Sequence, residues 1–384
     1  MSPLATAWTG LVALAVAMGI GRFAFTPVLP MMQGEAGVTV AEGGWLAAAN
    51  YAGYLAGALL ATVVRNGSAG SMRGALLAVG MATLAMGFTA SFAAWMALRF
   101  LAGAASAWVL VFVSAWALER IATASRPARQ GQDSLNATVF AGVGAGIGAA
   151  GLLVLVLMAV MASAADAWIA LGIVALAGSL LIWNALGGSA TQAANGAGEL
   201  QWSLASMRLV FAYGALGFGY IVPATFLPVM AKQALDDPAL FGWSWPVFGA
   251  AAAASTFVAA RWRRRWSARA VWIASQLAMA AGVAIPIAWP ALGATAISAL
   301  LVGGTFMVVT MTGIQEARRV AGGGARTLIA AMTSAFAAGQ IAGPLLVSAL
   351  AGRANAFSVA LACAATTLAA GALLLLPERT TGRE

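Results

Sequence analysis

The chain has 384 residues, of which 62% are apolar and only 8% charged, with a mean hydropathy of +0.91 and a formal charge of +9. Soluble domains carry about 25% charged residues, so a water-facing globular surface and a disordered chain are both excluded. Histidine is absent and the single cysteine is Cys363, so an intrachain disulfide, a His/Cys metal centre, a haem site and a Ser-His or Cys-His catalytic unit are excluded too, and no cofactor is expected.

The apolar runs are too long for the alternating strands of a barrel. They predict an all-α integral membrane protein with twelve transmembrane helices. The spans fall at about 8–31, 42–64, 73–91, 94–118, 133–160, 166–186, 205–231, 241–260, 270–289, 291–315, 327–350 and 355–376. Residues 1–6 hold no Lys or Arg, whereas a secretory leader starts positively charged; the first run is expected to be a retained helix.

Span 1 carries Arg22 near its middle, between Gly21 and the pair Pro27 and Pro30, so the helix can bend there. A charge at that depth marks a functional site by default. Span 2 places Asn50, Tyr54 and Gly57 at i, i+4 and i+7 on one face, with Tyr51 beside them. Span 4 holds Arg99 toward its outer end, where a long side chain can snorkel, and pairs Trp108 with Phe112 on one face. Span 10 does the same with Phe306 and Thr310, and span 11 carries Gln340 one turn after Phe336. The longest break, 187–203, is rich in Gly, Ala and Ser and suits a flexible linker.

Sixteen Lys or Arg residues fall on the side of the linker and the even-to-odd loops, and two, Lys232 and Arg353, on the other. That asymmetry places both termini in the cytoplasm and disposes of nucleic acid as the reason for the positive charge. The cluster WRRRW at 262–266 reads as topogenic charge between interfacial Trp anchors. All acids lie toward span ends or in loops, so no buried carboxylate or histidine is available as a proton relay. A cationic cargo would want such an acid. One or two Arg without one favour an anion, whose carboxylate or phosphate the guanidinium fork fits.

Shifting the chain by 198 residues lays span 1 on span 7: Gly19 and Gly21 fall on Gly217 and Gly219, Pro30 on Pro228, Arg22 on Tyr220 and, further on, Trp45 on Trp243. A shift of 193 lays span 5 on span 11, with Gly146 on Gly339. The chain therefore divides into a six-helix half at 1–186, a cytoplasmic linker at 187–204 and a second six-helix half at 205–384. Two parallel six-helix repeats with the substrate site between them are the architecture of the major facilitator superfamily. The segments GIGRFAFTPVLP at 19–30 and GWLAAANYAGYLAG at 44–57 resemble the YbfB/YjiJ-like bacterial branch of that superfamily. The resemblance implies a secondary transporter of the bacterial inner membrane.

Three further marks are read through the same resemblance. RFLAG at 99–103 resembles the superfamily's Arg-x-x-x-Gly motif, implying a coupling role for Arg99 and Gly103. The glycine run at 142–148 resembles the antiporter Gly-Pro motif but lacks the Pro; the pair appears instead at Gly343 and Pro344. The loop at 65–73 lacks the acid that usually forms the cytoplasmic gating ion pair.

The expectation is a monomeric carrier in the lipid bilayer, with no enzyme activity and no metal. It moves a small organic solute, with an anion favoured, by alternating access. Substrate contacts are assigned to Arg22, Tyr220, Asn50, Tyr54, Gln340, Trp108 and Phe306, and coupling or gating to Arg99, Gly103, Gly343 and Pro344. The rivals are efflux of hydrophobic compounds, a sensor or scaffold, which would usually carry a soluble output domain, and a membrane-embedded enzyme, which would need a nucleophile–base unit or paired acids at depth.

Overall fold

The computed structural model describes residues 1–64, 66–124, 132–187, 190–191, 200–234, 242–262, 265–289 and 291–376. Arg65, Arg126, Arg129, Asp236, Asp237, Arg263, Arg264, the tail from 377 and most of the linker lie outside the described residues. The protein is all-α apart from one two-residue ribbon.

The first span is not one continuous helix. α1 (Pro3–Leu14) starts at a Ser2 cap, whose hydroxyl accepts from the Ala5 amide. It passes into a π-helical turn at Ala15–Ile20, then through an irregular turn at 21–24, before α2 (Phe25–Glu35) resumes. The wide turn is visible in its bonds: the amides of Gly21 and Phe23 reach the carbonyls of Val16 and Met18, five residues back. π-Bulges of this kind concentrate at functional sites, and this one ends beside Arg22.

Ten helices follow in the order α3 (Val40–Val63), α4 (Ala69–Met86), α5 (Phe92–Ala124), α6 (Gln132–Ala159), α7 (Ala164–Leu181), α8 (Leu204–Ala234), α9 (Ser244–Trp262), α10 (Ala268–Ala288), α11 (Leu292–Ala321) and α12 (Ala325–Leu350), and α13 (Ala356–Leu374) closes the chain. With α1 and α2 as a single span they make twelve crossings. Several helices run past the apolar runs that predicted them, because polar and charged residues prolong them into the interface. Among the described residues ten spans are long and apolar enough to cross a membrane on composition alone. α3 and α9 are spans 2 and 8. They are each other's repeat equivalents, and both pack against the opposite half, α3 on α12 and α9 on α6. A helix covered by protein can afford polar residues that a lipid-facing helix cannot.

The twofold relation of the halves is written in their closest contacts. A side-chain carbon added at Gly103 of α5 would run into the backbone of Asn50 in α3, and one added at Gly303 of α11 into that of Phe248 in α9. Asn50 and Phe248 are 198 residues apart. Gly19 likewise presses on Gly146 of α6, and Gly217 on Phe336 of α12. These glycines set backbone-to-backbone contact between neighbouring helices. Thr26 donates its hydroxyl to the Ala224 carbonyl at 2.8 Å, again 198 residues away, so this bond lies where the equivalent helices of the two halves meet. Within the linker, Ala190–Thr191 pairs antiparallel with Asn66–Gly67, so part of the segment expected to be flexible is tied to the first half.

Candidate functional site

The irregular turn after the π-helix leaves backbone carbonyls that need donors. They come from α3 and α5. Asn50 Nδ2 donates to Gly21 O at 3.3 Å and to Arg99 O at 2.8 Å. Arg99 Nη1 donates to Gly21 O at 3.3 Å and its Nη2 to Arg22 O at 2.9 Å. Ser106 Oγ donates to Ala17 O at 2.6 Å. Arg99 therefore does not snorkel: it is buried, with its guanidinium 4.8 Å from the Phe25 ring centroid. The spacing that suggested an interfacial Arg took no account of the carbonyls that the broken helix would offer inside.

Arg22 is 2% exposed and differently placed. Its guanidinium sits 4.0 Å from the centroid of Tyr54 and 5.2 Å from those of Tyr51 and Phe23, contacts that stabilise a desolvated cation. Two of its nitrogens, Nε and Nη2, have no hydrogen-bond partner. They form one edge of the guanidinium, the edge that takes a carboxylate side-on. The same edge is occupied elsewhere in this protein: Arg319 Nε and Nη2 donate to the two oxygens of Glu316 at 2.9 and 2.6 Å.

The second half faces Arg22 with rings. Tyr220, its repeat equivalent, lies in a parallel stack between Phe306 (centroids 5.5 Å apart) and Phe336 (5.7 Å). Its hydroxyl bonds to Gln340 Nε2. Phe306 also stacks on Phe248 at 5.7 Å, and Phe248 on Trp245 at 4.8 Å. Phe23 closes the set from the first half, 6.4 Å from both Trp245 and Phe306. Tyr213 joins through Phe336 at 5.2 Å, so all four tyrosines of the chain are within this group of contacts or next to it.

The structure thus brings together Arg22, Asn50, Tyr54, Tyr220, Gln340, Phe306 and, through the backbone, Arg99. Trp108 is apart. It packs on Phe112 at 4.8 Å, and Phe112 lies against Gly67 in the loop before α4. Gly103 serves the close α3–α5 approach. Gly343 abuts Ile221 of α8, and the Pro344 carbonyl lies against Gly44 of α3 and accepts from Ser348 Oγ at 3.1 Å, so this pair sits where α12 meets α8 and α3. Sequence reading missed Phe23, Tyr213, Trp245 and Phe248. An aromatic in an apolar helix carries no periodic signal that separates a cavity wall from packing.

Toward the C-terminal ends of α2 and α8 the halves are tied by Tyr51 and Thr225 (3.0 Å between hydroxyls) and by Lys232 Nζ donating to Pro30 O at 3.0 Å. At the opposite helix ends, on the side of the linker, the two halves use different chemistry. Glu316 bridges Arg269 of α10 (2.8 Å) and Arg319. In the first half Arg73 and Arg120 donate instead to the carbonyls of Leu186 and Gly187 just beyond α7 (2.8 and 2.9 Å).

A helical membrane protein built from two six-helix repeats around a central buried site is a carrier of the major facilitator type. Residues 14–376 match the family model described as "Uncharacterised MFS-type transporter YbfB", and the chain belongs to that family: it is a multi-pass secondary transporter of the bacterial inner membrane, working by alternating access on a small solute rather than by catalysis. Among solved structures it resembles a D-xylose–proton symporter (13% identity, TM-score 0.73, 97% of this chain and 98% of that one) and a variant of the nucleoside transporter NupG (12%, 0.74, 97% and 100%). No curated protein matches the sequence.

Proposed function

We propose that this transporter carries a small organic anion, held by its carboxylate on the free edge of Arg22. The supporting observation is a buried guanidinium with Nε and Nη2 unpartnered. Leaving a buried charged donor unmade costs about 1–3 kcal/mol or more, and a carboxylate would supply both missing acceptors at once. No ion pair of Arg22 occurs among the described residues, whereas Arg319 and Glu316 supply an internal example of the bond.

In this reading the halves 1–186 and 205–384 rock about the centre as a monomer, joined by the linker at 187–204. Both termini and the linker face the cytoplasm because the basic loops do. With no acid or histidine near the centre, a co-transported proton would ride on the solute's own carboxyl group, so symport and uniport are the compatible modes.

Solute counterflow in proteoliposomes tests the cargo class. Monocarboxylates should exchange and their uncharged amides should not; equal exchange of acid and amide would overturn the reading. Cysteine scanning tests orientation. A cysteine at Gln192 should be shielded from impermeant thiol reagents in intact cells and one at Ala162 should react, and the reverse would invert the topology.

A further inference from the structure

We infer that the solute's body is a flat aromatic ring, so that the cargo is an aryl carboxylate. This rests on the anion reading above and narrows it.

Phe23 adjoins Arg22 in the chain. Among the described residues it is the one ring of the first half that meets rings of the second, at 6.4 Å from Trp245 and from Phe306. When the halves part, as alternating access requires, these two contacts open. They leave the free edge of Arg22 beside a wall made of Trp245, Phe248, Phe306 and Tyr220, each stacked on the next. A planar ring attached to a carboxylate can replace Phe23 against that wall while its oxygens reach Nε and Nη2. Tilted and edge-to-face aromatic pairs add to simple burial.

Several polar groups of the centre are already committed to one another. Asn50 Nδ2 serves Gly21 and Arg99, Tyr51 bonds to Thr225, and the Tyr220 hydroxyl bonds to Gln340. Two acceptors of the centre stay open, Asn50 Oδ1 and Gln340 Oε1, so hydroxyls on the solute could be paired there, and the preference for a ring rests on the aromatic wall. One fully buried donor stays unused on the wall, the Trp245 indole N–H. It could receive a single carbonyl or hydroxyl on the ring.

The test uses four probes on the purified full-length protein: benzoate, cyclohexanecarboxylate, acetate and benzamide, each titrated by thermal shift and calorimetry. A ligand of the native state raises apparent stability with its concentration over Kd. Benzoate should bind on the order of tenfold tighter than cyclohexanecarboxylate, the value of one aromatic contact, and more so than acetate. Phe306→Leu should erase the preference for benzoate over cyclohexanecarboxylate while leaving acetate unchanged. If cyclohexanecarboxylate matches benzoate in the wild type, the aromatic assignment is overturned and the anion reading stands. If benzamide matches benzoate, the anion reading itself fails. Absence of a response to all four probes would also overturn the aromatic assignment.

Discussion

The two halves of this carrier share a backbone and divide the chemistry. Where span 1 carries Arg22, span 7 carries Tyr220; where α3 carries Asn50, α9 carries Phe248. Gly103 and Gly303 hold the equivalent close approaches in α5 and α11, and three residues beyond them the first half has Ser106 and the second Phe306. The first half therefore supplies charge and hydrogen bonds, and the second supplies a stacked wall. The difference also explains the broken first span. A buried cation and its backbone need an irregular segment with free carbonyls and small neighbours, and the stretch from Ala15 to Ala24 provides both. α8 carries Pro223 and Pro228 yet stays helical from Leu204 to Ala234.

The largest stability effect that bears on this division is expected at Arg99. Arg99→Met would strip donors from the Gly21 and Arg22 carbonyls, and should cost about 3–4 kcal/mol of stability. It should also impair transport by releasing Arg22. A folded, fully active Met variant would show that the turn at 21–24 does not depend on α5. Next come the paired glycines. Gly103→Val and Gly303→Val each force a side chain into a facing backbone and should cost about 2–3 kcal/mol by thermal unfolding. Similar losses would confirm a shared backbone design, while a silent Gly303→Val would break the symmetry. Glu316→Gln should cost about 2 kcal/mol, since it leaves Arg269 and Arg319 without their charged acceptor. Because the first half anchors Arg73 and Arg120 on carbonyls instead, no acid-to-amide change there should reproduce the effect. The smallest change is Tyr220→Phe. It keeps the stack with Phe306 and Phe336, loses the bond to Gln340, and should cost about 1 kcal/mol.

Much of the architecture could be read from sequence because lipid imposes a simple code. Long apolar runs, one-sided Arg and a 198-residue repeat of Gly, Pro and Trp are each independent of packing detail. Arg22, Asn50 and Tyr54 were legible as candidates for the same reason, since polar groups in a span are expensive. Their partnership was not. Asn50 turned out to cap the backbone at Gly21 and Arg99, and Arg99 to hold carbonyls that exist only because the helix breaks into a π-turn, which no propensity of Ala15–Ile20 announces. Trp108 was misplaced beside the centre because a shared helix face gives direction around α5 but not depth along it. The wall of Phe23, Trp245 and Phe248 was invisible for the complementary reason: aromatic residues cost nothing in a span and so draw no attention.

The central claim is that Arg22 receives the solute's charge and is not a structural cation. It is tested most directly by calorimetric titration of Arg22→Met with whichever carboxylate binds the wild type most tightly, beside a melting curve of the same variant. Met fills the space without the charge, so the variant should fold with unchanged or raised stability. Its affinity should fall by about 100-fold, the equivalent of roughly 3 kcal/mol for a lost side-on charge pair. Unchanged affinity in a folded variant would contradict the assignment, and a variant that no longer folds would make Arg22 a structural element of the first half.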